Sequence, residues 1–112
     1  MRFIAKEVIR EKLFGRLDEE IPYSVAVQIE EYKEEPEKNL VRIRADVLVE
    51  RESQQGIVIG RGGALLKKAG TAARHELEKE TGARVYLELF VKVEREWSRS
   101  ETMLRRLGYE PG

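Results

Sequence analysis

The spacing of apolar residues changes once in the first part of the chain. Along residues 3–14 apolar side chains recur at intervals of three and four, which predicts an amphipathic helix that ends near Gly15. A charged connector and Pro22 follow. From Tyr23 apolar and polar residues alternate, which predicts a half-buried strand. Its apolar face consists of Tyr23, Val25, Val27 and Ile29.

A second strand is predicted after a charged turn. Residues 34–39 include Pro36, Asn39 and several charged side chains, a composition typical of a turn. Residues 41–49 then alternate again, so we expect them to pair with the first strand as a hairpin. One face of this hairpin is apolar, and helices are expected to cover it.

Two helices separated by a glycine-rich turn are predicted next. Ser53 is a suitable N-cap for a short helix that continues to Val58. Beyond the glycines an apolar stripe with a period near 3.6 predicts a long helix that ends at Gly82. The stripe consists of Leu65, Leu66, Ala69, Ala72, Ala73 and Leu77. Residues 85–93 alternate once more and predict a third strand.

A last helix is predicted near the C-terminus. The segment Ser98-Arg99-Ser100-Glu101 has the pattern of a capping box, and Gly108 follows the helix that it would start. Trp97, just before it, is expected to be a core residue. The order is helix, strand, strand, helix, helix, strand, with an added C-terminal helix. It predicts an α+β fold in which helices pack on one face of a three-stranded sheet.

The length of 112 residues predicts a single domain. We divide it into a leading helix and connector (1–22), a sheet and glycine-rich core (23–94) and a C-terminal helix (95–112). The chain has no cysteine, which excludes disulfides and thiolate chemistry. It also has no signal-peptide pattern and no apolar run near the roughly 20 residues that span a bilayer. These features predict a cytoplasmic protein.

Charge is balanced overall but unevenly distributed. The chain has 21 basic and 21 acidic residues. Residues 53–75 contain four basic side chains and no acidic one, whereas residues 30–38 contain five acidic residues and two lysines. The glycine-rich turn therefore lies in the most basic part of the chain, although an ordinary solvated helix face would also explain Lys67 and Lys68 individually.

The turn Gly60-Arg61-Gly62-Gly63, called the glycine loop below, has the features of a phosphate site. It follows three apolar residues and leads directly into the long predicted helix. Backbone N–H groups and the positive end of a helix dipole favour an anion there, and glycines allow a sugar-phosphate chain to come close. A Walker loop would need Gly-Lys-Ser or Gly-Lys-Thr, which does not occur in the sequence. The dinucleotide fingerprint would need a glycine at Leu65.

The motif and the element order together resemble a type II KH domain, in which a Gly-x-x-Gly loop clamps a backbone of about four nucleotides. Nearly the whole chain is similar to the C-terminal region of the Era family of bacterial GTPases. Four blocks support this resemblance. They are Glu20-Ile21-Pro22-Tyr23-Ser24-Val25-Ala26-Val27, Gly56-Ile57-Val58-Ile59-Gly60-Arg61-Gly62-Gly63, Leu87-Glu88-Leu89-Phe90-Val91-Lys92-Val93, and Trp97 with Leu104, Leu107, Gly108 and Tyr109.

The resemblance implies a domain that binds single-stranded RNA near the 3′ end of small-subunit ribosomal RNA during assembly of the small ribosomal subunit. In the family an N-terminal GTPase domain precedes this domain. That GTPase domain, with its GTP and magnesium, is expected to be absent from this chain, which therefore needs no cofactor of its own. The domain is expected to be monomeric.

The candidate RNA-binding residues fall into three groups. The glycine loop, Gly60, Arg61, Gly62 and Gly63, is expected to hold the RNA backbone. An apolar groove of Ile57, Ile59 and Leu66, bounded by the second strand, is expected to receive the bases, and one of the two isoleucines is also expected to point into the core. Lys67, Lys68, Arg42 and Arg44 are further candidates for phosphate contacts.

Other functions remain open on the sequence alone. A KH domain of another cytoplasmic RNA-binding factor would share the clamp. The terminal helix, with Trp97 and several arginines, could dock on a protein or peripherally on the inner face of the cell membrane. An enzyme is disfavoured, because His75 is the one histidine and lies in the middle of the long helix. We therefore predict no catalytic residue and no metal site.

Overall fold

The computed structural model describes residues 1–17 and 25–108. Its helices and strands are α1 (Arg2–Phe14), β1 (Ala26–Glu35), β2 (Leu40–Val49), α2 (Glu52–Ile59), α3 (Ala64–Thr81), β3 (Arg84–Val93) and α4 (Glu101–Arg106). This is the predicted order, so the predicted α+β topology is confirmed. The first strand was expected to begin at Tyr23. That residue lies outside the described residues, as do Pro22, Ser24 and Tyr109.

The sheet is mixed, with the strand order β1-β2-β3. β1 and β2 pair antiparallel as the predicted hairpin, whereas β3 pairs parallel to β2. A parallel pair cannot be closed by a tight turn and needs a long crossover connection, which α2 and α3 provide. β3 therefore lies at the edge of the sheet, next to these two helices.

β1 is longer than the sequence predicted. It continues to Glu35, and the turn is a short 3₁₀ segment, Pro36–Lys38, followed by Asn39 in the left-handed region with a φ of 50°. The prediction of a turn beginning at residue 34 was wrong, because the acidic residues there pair with β2. Glu35 lies opposite Leu40, and its carboxylate accepts a hydrogen bond of 2.6 Å from Arg42.

The main core lies between the sheet and helices α1 and α3. The largest side chains that are fully buried are Ile9, Leu13, Ile43, Leu77, Val25, Val27, Val47, Val49 and Val58. On α3 the buried residues include Ala69 and Ala73, whose small side chains let the helix pack closely. At the surface the Lys12 ammonium lies 3.1 Å from the carboxylate of Glu76 and joins α1 to α3.

A second, smaller cluster covers part of the opposite face of the sheet. Its buried members are Ala26, Leu48, Trp97, Met103 and Leu107. Trp97 is thus a core residue, as predicted, and it anchors the C-terminal segment to β1 and β2. Within the described part of the chain, no helix is long and apolar enough to cross a membrane.

The N-cap of α4 is Ser100. Its Oγ accepts a hydrogen bond of 3.2 Å from the backbone N–H of Met103, one of the N–H groups that the helix itself leaves unpaired. Ser98, where the predicted capping box began, instead donates its hydroxyl to the carboxylate of Glu50. Glu50 follows β2, so Ser98 ties the terminal segment to the end of the sheet.

We expect Ser100→Ala to lower the free energy of unfolding by about 1 kcal/mol, because the Met103 N–H loses its acceptor. Thr102→Ala, an exposed position in the same helix, is the matched control and should have little effect. Urea denaturation of both variants measures the difference. Equal stabilities for the two variants would show that the cap does not hold α4 in place.

Candidate nucleic-acid interface

Gly60 makes the sharp reversal between α2 and α3 possible. Its φ of 80° and ψ of 173° are accessible to glycine and strongly unfavourable for other residues. A Cβ at this position would also lie 2.7 Å from the Cβ of Leu65 and 2.8 Å from its backbone nitrogen. Gly60 is therefore a structural requirement of the loop, whatever the loop binds.

The next two glycines face open space. Gly62 and Gly63 have φ values of 61° and 78°, and a Cβ at either position would meet no atom within 4 Å. Arg61, between the tightly packed and the open glycines, is exposed. The outer surface of the loop is thus nearly free of side chains at the N-terminal end of α3, and a phosphate backbone can approach it closely.

The short helix α2 brings the chain to this loop. It begins at Glu52. The prediction of Ser53 as its N-cap was wrong, because Gln54 provides the capping side chain. Its Oε1 accepts hydrogen bonds from the backbone N–H groups of Glu50 at 3.0 Å and Arg51 at 2.9 Å. Gln55 then donates from Nε2 to the carbonyl of Val91 at 3.0 Å and fixes α2 against the edge strand.

A groove runs from the loop between α3 and β3. It has a volume of about 330 Å³ and is lined by Gly63, Leu66, Lys67, Gly70, Thr71, Arg74, Leu87 and Leu89. A Cβ on Gly70 would lie 3.4 Å from Cδ1 of Leu89, so the glycine lets α3 lie close to β3. Leu87 and Leu89 are only half-buried, and they form the apolar wall of the groove.

The prediction that the second strand bounds this groove was wrong. β2 occupies the centre of the sheet, and its helix-facing residues Ile43, Ala45 and Val47 are fully buried in the core. β3 forms the wall because it is the edge strand next to α3. The alternating pattern identified both segments as strands but carried no information on which of them lies at the edge.

Three of the predicted residues, Gly63, Leu66 and Lys67, line the groove, and Gly60, Arg61 and Gly62 complete the loop at its end. Ile57 and Ile59 lie in the last turn of α2, outside the groove lining. Ile57 is 46% exposed, Ile59 is half-buried, and Val58 between them is the fully buried residue. One of the two isoleucines was expected to point into the core. Because this segment is helical, the fully buried residue is Val58 instead.

Arg42 and Arg44 lie on the face of the sheet opposite α1 and α3. The guanidinium of Arg42 lies 5.6 Å from the centre of the Tyr86 ring and donates to Glu35, and this hydrogen bond lowers the pKa of the Glu35 carboxyl. Arg44 has Glu31 and Glu88 as its neighbours on the adjoining strands. The structure does not bring these arginines to the groove. Lys68 also lies outside it, on the other side of α3.

Five groove residues were not among the predicted RNA-binding residues: Gly70, Thr71, Arg74, Leu87 and Leu89. A signal for some of them exists. Leu66, Gly70 and Arg74 are spaced by four and so share one face of α3. A glycine inside a long helix has an unfavourable helix propensity, which often indicates a close approach of another element.

Comparison with known proteins bears directly on this geometry. The family model described as a KH domain matches residues 20–98, which include the glycine loop, α3 and β3. The chain belongs to the KH domain family. The Gly-x-x-Gly loop of the family is thus the glycine loop described above.

This KH domain matches the C-terminal region of GTPase Era. It is 53% identical over 108 residues to GTPase Era of Geobacter metallireducens and 50% identical over 109 residues to that of Coxiella burnetii. These matches cover 96% and 97% of the chain. The chain spans only 36% of the length of each relative, and the GTPase domain lies outside it.

Solved structures show the same fold. A variant of Era from Aquifex aeolicus bound to GDP and AlF4⁻ has a TM-score of 0.92 and 41% identity, with 98% of this chain and 37% of that chain covered. A complex of Era with MgGDPNP and nucleotides 1506–1542 of 16S ribosomal RNA matches with the same TM-score, identity and coverage.

The different roles of the glycines can be separated by stability measurements. Gly60→Ala should lower the free energy of unfolding by roughly 2 kcal/mol or more, because it combines an unfavourable φ with a steric clash. Gly62→Ala should cost about 1 kcal/mol, because it carries the left-handed strain without a clash. Chemical denaturation of the two variants tests this order. A Gly62→Ala loss as large as that of Gly60→Ala would contradict it.

Proposed function

We propose that this chain is the RNA-binding domain of an Era-type GTPase. In this proposal it binds a single-stranded segment near the 3′ end of small-subunit ribosomal RNA during assembly of that subunit. The observation that carries the proposal is the bare glycine loop at the head of a groove with one helical and one strand wall. The complex of an Era relative with 16S ribosomal RNA supports the choice of target.

The loop would hold the RNA backbone. The open sides of Gly62 and Gly63 leave room for a sugar-phosphate chain, and the dipole of the 18-residue helix α3 favours the negative charge. Arg61 and Lys67 are exposed cations beside this path, and neither has an ion pair within the described part of the chain. These contacts position the backbone but do not read sequence.

The groove would receive the bases. Leu66, Leu87 and Leu89 offer an apolar surface to base faces, while the outer edge of β3 offers backbone donors and acceptors to base edges. Single-stranded bases can turn into such a groove because their edges are not occupied by pairing. A KH groove holds about four nucleotides. Most of a longer target, such as the segment bound in the Era complex, must therefore lie outside it.

GTP hydrolysis is assigned in this proposal to the GTPase domain outside the chain. The sequence has no Walker loop, and within the described residues no three or more His, Cys, Asp or Glu side chains come together as a metal site. The residues present therefore do not fit GTP and magnesium. His75 has a local contact instead, since its Nε2 lies 3.1 Å from Nη2 of Arg74.

The proposal places the domain in the cytoplasm, with its ribosomal target, as a monomer. The KH domain of another RNA-binding factor would use the same loop and groove, but identities near 50% to GTPase Era over nearly the whole chain support the Era type.

Gly62→Asp tests the clamp. The position tolerates aspartate sterically, since its Cβ would meet open space and Asp is among the residues that adopt the left-handed region. The added carboxylate should repel the RNA backbone and weaken binding roughly tenfold or more. Gly62→Asn is the matched control, because it has the same shape without the charge and should retain most of the affinity.

Fluorescence anisotropy with a single-stranded oligonucleotide from the 3′ end of small-subunit ribosomal RNA measures both variants. Thermal unfolding confirms that each remains folded. If Gly62→Asp and Gly62→Asn bind with equal affinity, the RNA backbone does not pass over the loop and the proposed clamp is wrong.

A further inference from the structure

A second groove lies on the other side of α3. It has a volume of about 580 Å³ and separates α3 from the segment that follows α1. Its lining consists of Arg16, Ala64, Lys67, Lys68, Thr71, Ala72 and His75. We call it the rear groove, to distinguish it from the base-binding groove between α3 and β3. Of its lining residues, only Lys67 and Thr71 also line the groove between α3 and β3.

The rear groove is basic. Arg16, Lys67 and Lys68 are exposed and positively charged, and no acidic side chain among the described residues lines the groove. Some cations elsewhere on the described surface are paired with carboxylates, as Lys12 is with Glu76 and Lys92 is with Asp46. Within the described residues the three cations of the rear groove have no such partner, and their combined positive charge favours an anion there.

The floor of the rear groove suits a backbone rather than a bulky side chain. Ala64 and Ala72 are small, and Thr71 is exposed and can donate its hydroxyl to a phosphate oxygen. Nη1 of Arg16 donates to the carbonyl of Lys12 at 2.9 Å, which holds the guanidinium at the rim of the groove. Arginine, lysine and threonine side chains are all common contacts to phosphate oxygens.

The two grooves adjoin each other along α3. Lys67 lines both of them, and Thr71, one turn further along α3, also faces both. A nucleic acid held at the glycine loop therefore meets the rear groove as soon as it passes the N-terminal end of α3. The RNA in the Era complex, nucleotides 1506–1542, is much longer than the roughly four nucleotides that the base-binding groove can hold.

We infer that the rear groove binds the phosphate backbone of the RNA that flanks the clamped segment, with Arg16 and Lys68 as its specific contacts. This inference rests on the proposed function. It adds a second contact surface, independent of sequence, that would lengthen the footprint of the domain and increase its affinity for long RNA. The base-binding groove reads bases, and the rear groove binds charge.

The experiment compares two RNAs. The short RNA is a single-stranded oligonucleotide of about six nucleotides, enough to fill the clamp. The long RNA contains the same segment with flanking nucleotides on both sides. The test variant is Arg16→Gln with Lys68→Gln. The control is Lys33→Gln with Arg99→Gln, which removes one lysine and one arginine charge at exposed positions away from α3. Lys67 is left unchanged because it lines both grooves.

Wild-type protein should bind the long RNA more tightly than the short one. The test variant should lose about tenfold in affinity for the long RNA and stay within about twofold of wild type on the short RNA. Its slope of log affinity against log salt on the long RNA should be smaller by about 1.4, since each single-strand phosphate contact contributes roughly 0.7. The control variant should behave like wild type on both RNAs.

Equal losses on both RNAs, or no loss on the long RNA, would overturn the inference and leave the clamp intact. Failure of the wild type to bind even the short RNA would instead overturn the proposed function, and the inference with it. Vesicles that contain phosphatidylglycerol provide a further arm. If the test variant lost vesicle binding but kept its affinity for long RNA, the rear groove would be a membrane contact and the inference would be wrong.

Discussion

The close contact between Gly60 and Leu65 is the constraint on which the rest of this structure depends. A Cβ at Gly60 would lie 2.7 Å from that of Leu65, so the chain can pass from α2 into α3 this tightly only with glycine at this position. The tight turn starts α3 immediately behind the loop and leaves Gly62 and Gly63 facing outwards. A structural requirement on one glycine thus creates the bare surface that the other two present to a ligand.

The position of α3 then determines the grooves on its two sides. Ala69 and Ala73 bring the helix close to the centre of the sheet, and Gly70 brings it close to Leu89 on the edge strand. Because β3 lies at the edge and only one layer of helices covers this face, Leu87 and Leu89 remain half-buried. The packing that forms the core therefore leaves an apolar wall opposite a helix with basic side chains. Fold and binding surface depend on the same few small residues.

The residue patterns predicted where helices and strands lie along the chain better than they predicted which of these elements are neighbours in space. The alternation in residues 41–49 and 85–93 located both strands, and the glycine motif located the loop. The parallel crossover between β2 and β3 determines which strand forms the groove wall. The spacing of apolar residues does not reveal such a crossover, and for that reason Leu87 and Leu89 were missed. Arg42 and Arg44 were placed near the RNA because the second strand was expected to bound the groove, although their side chains lie on the other face of the sheet.

Errors at the ends of elements have a different origin, since several polar side chains compete for each cap. Ser53 is a good N-cap by type, but Gln54 reaches back to two backbone N–H groups and α2 begins at Glu52. Ser98 and Ser100 are equivalent by type, but Ser98 donates its hydroxyl to Glu50 whereas Ser100 accepts from the Met103 N–H and caps α4. β1 extends into the predicted turn, where the Glu35 carboxylate accepts a hydrogen bond from Arg42 on the opposite strand.

The most direct test of the central claim is a titration of isotopically labelled protein with the single-stranded 3′-end oligonucleotide, followed by NMR of the backbone amides. The account predicts that the largest shifts occur at Gly62 and Gly63, on the first turns of α3, and at Leu87 and Leu89. Shifts confined to the open sheet face around Tyr86 and Phe90, with the loop unaffected, would contradict it.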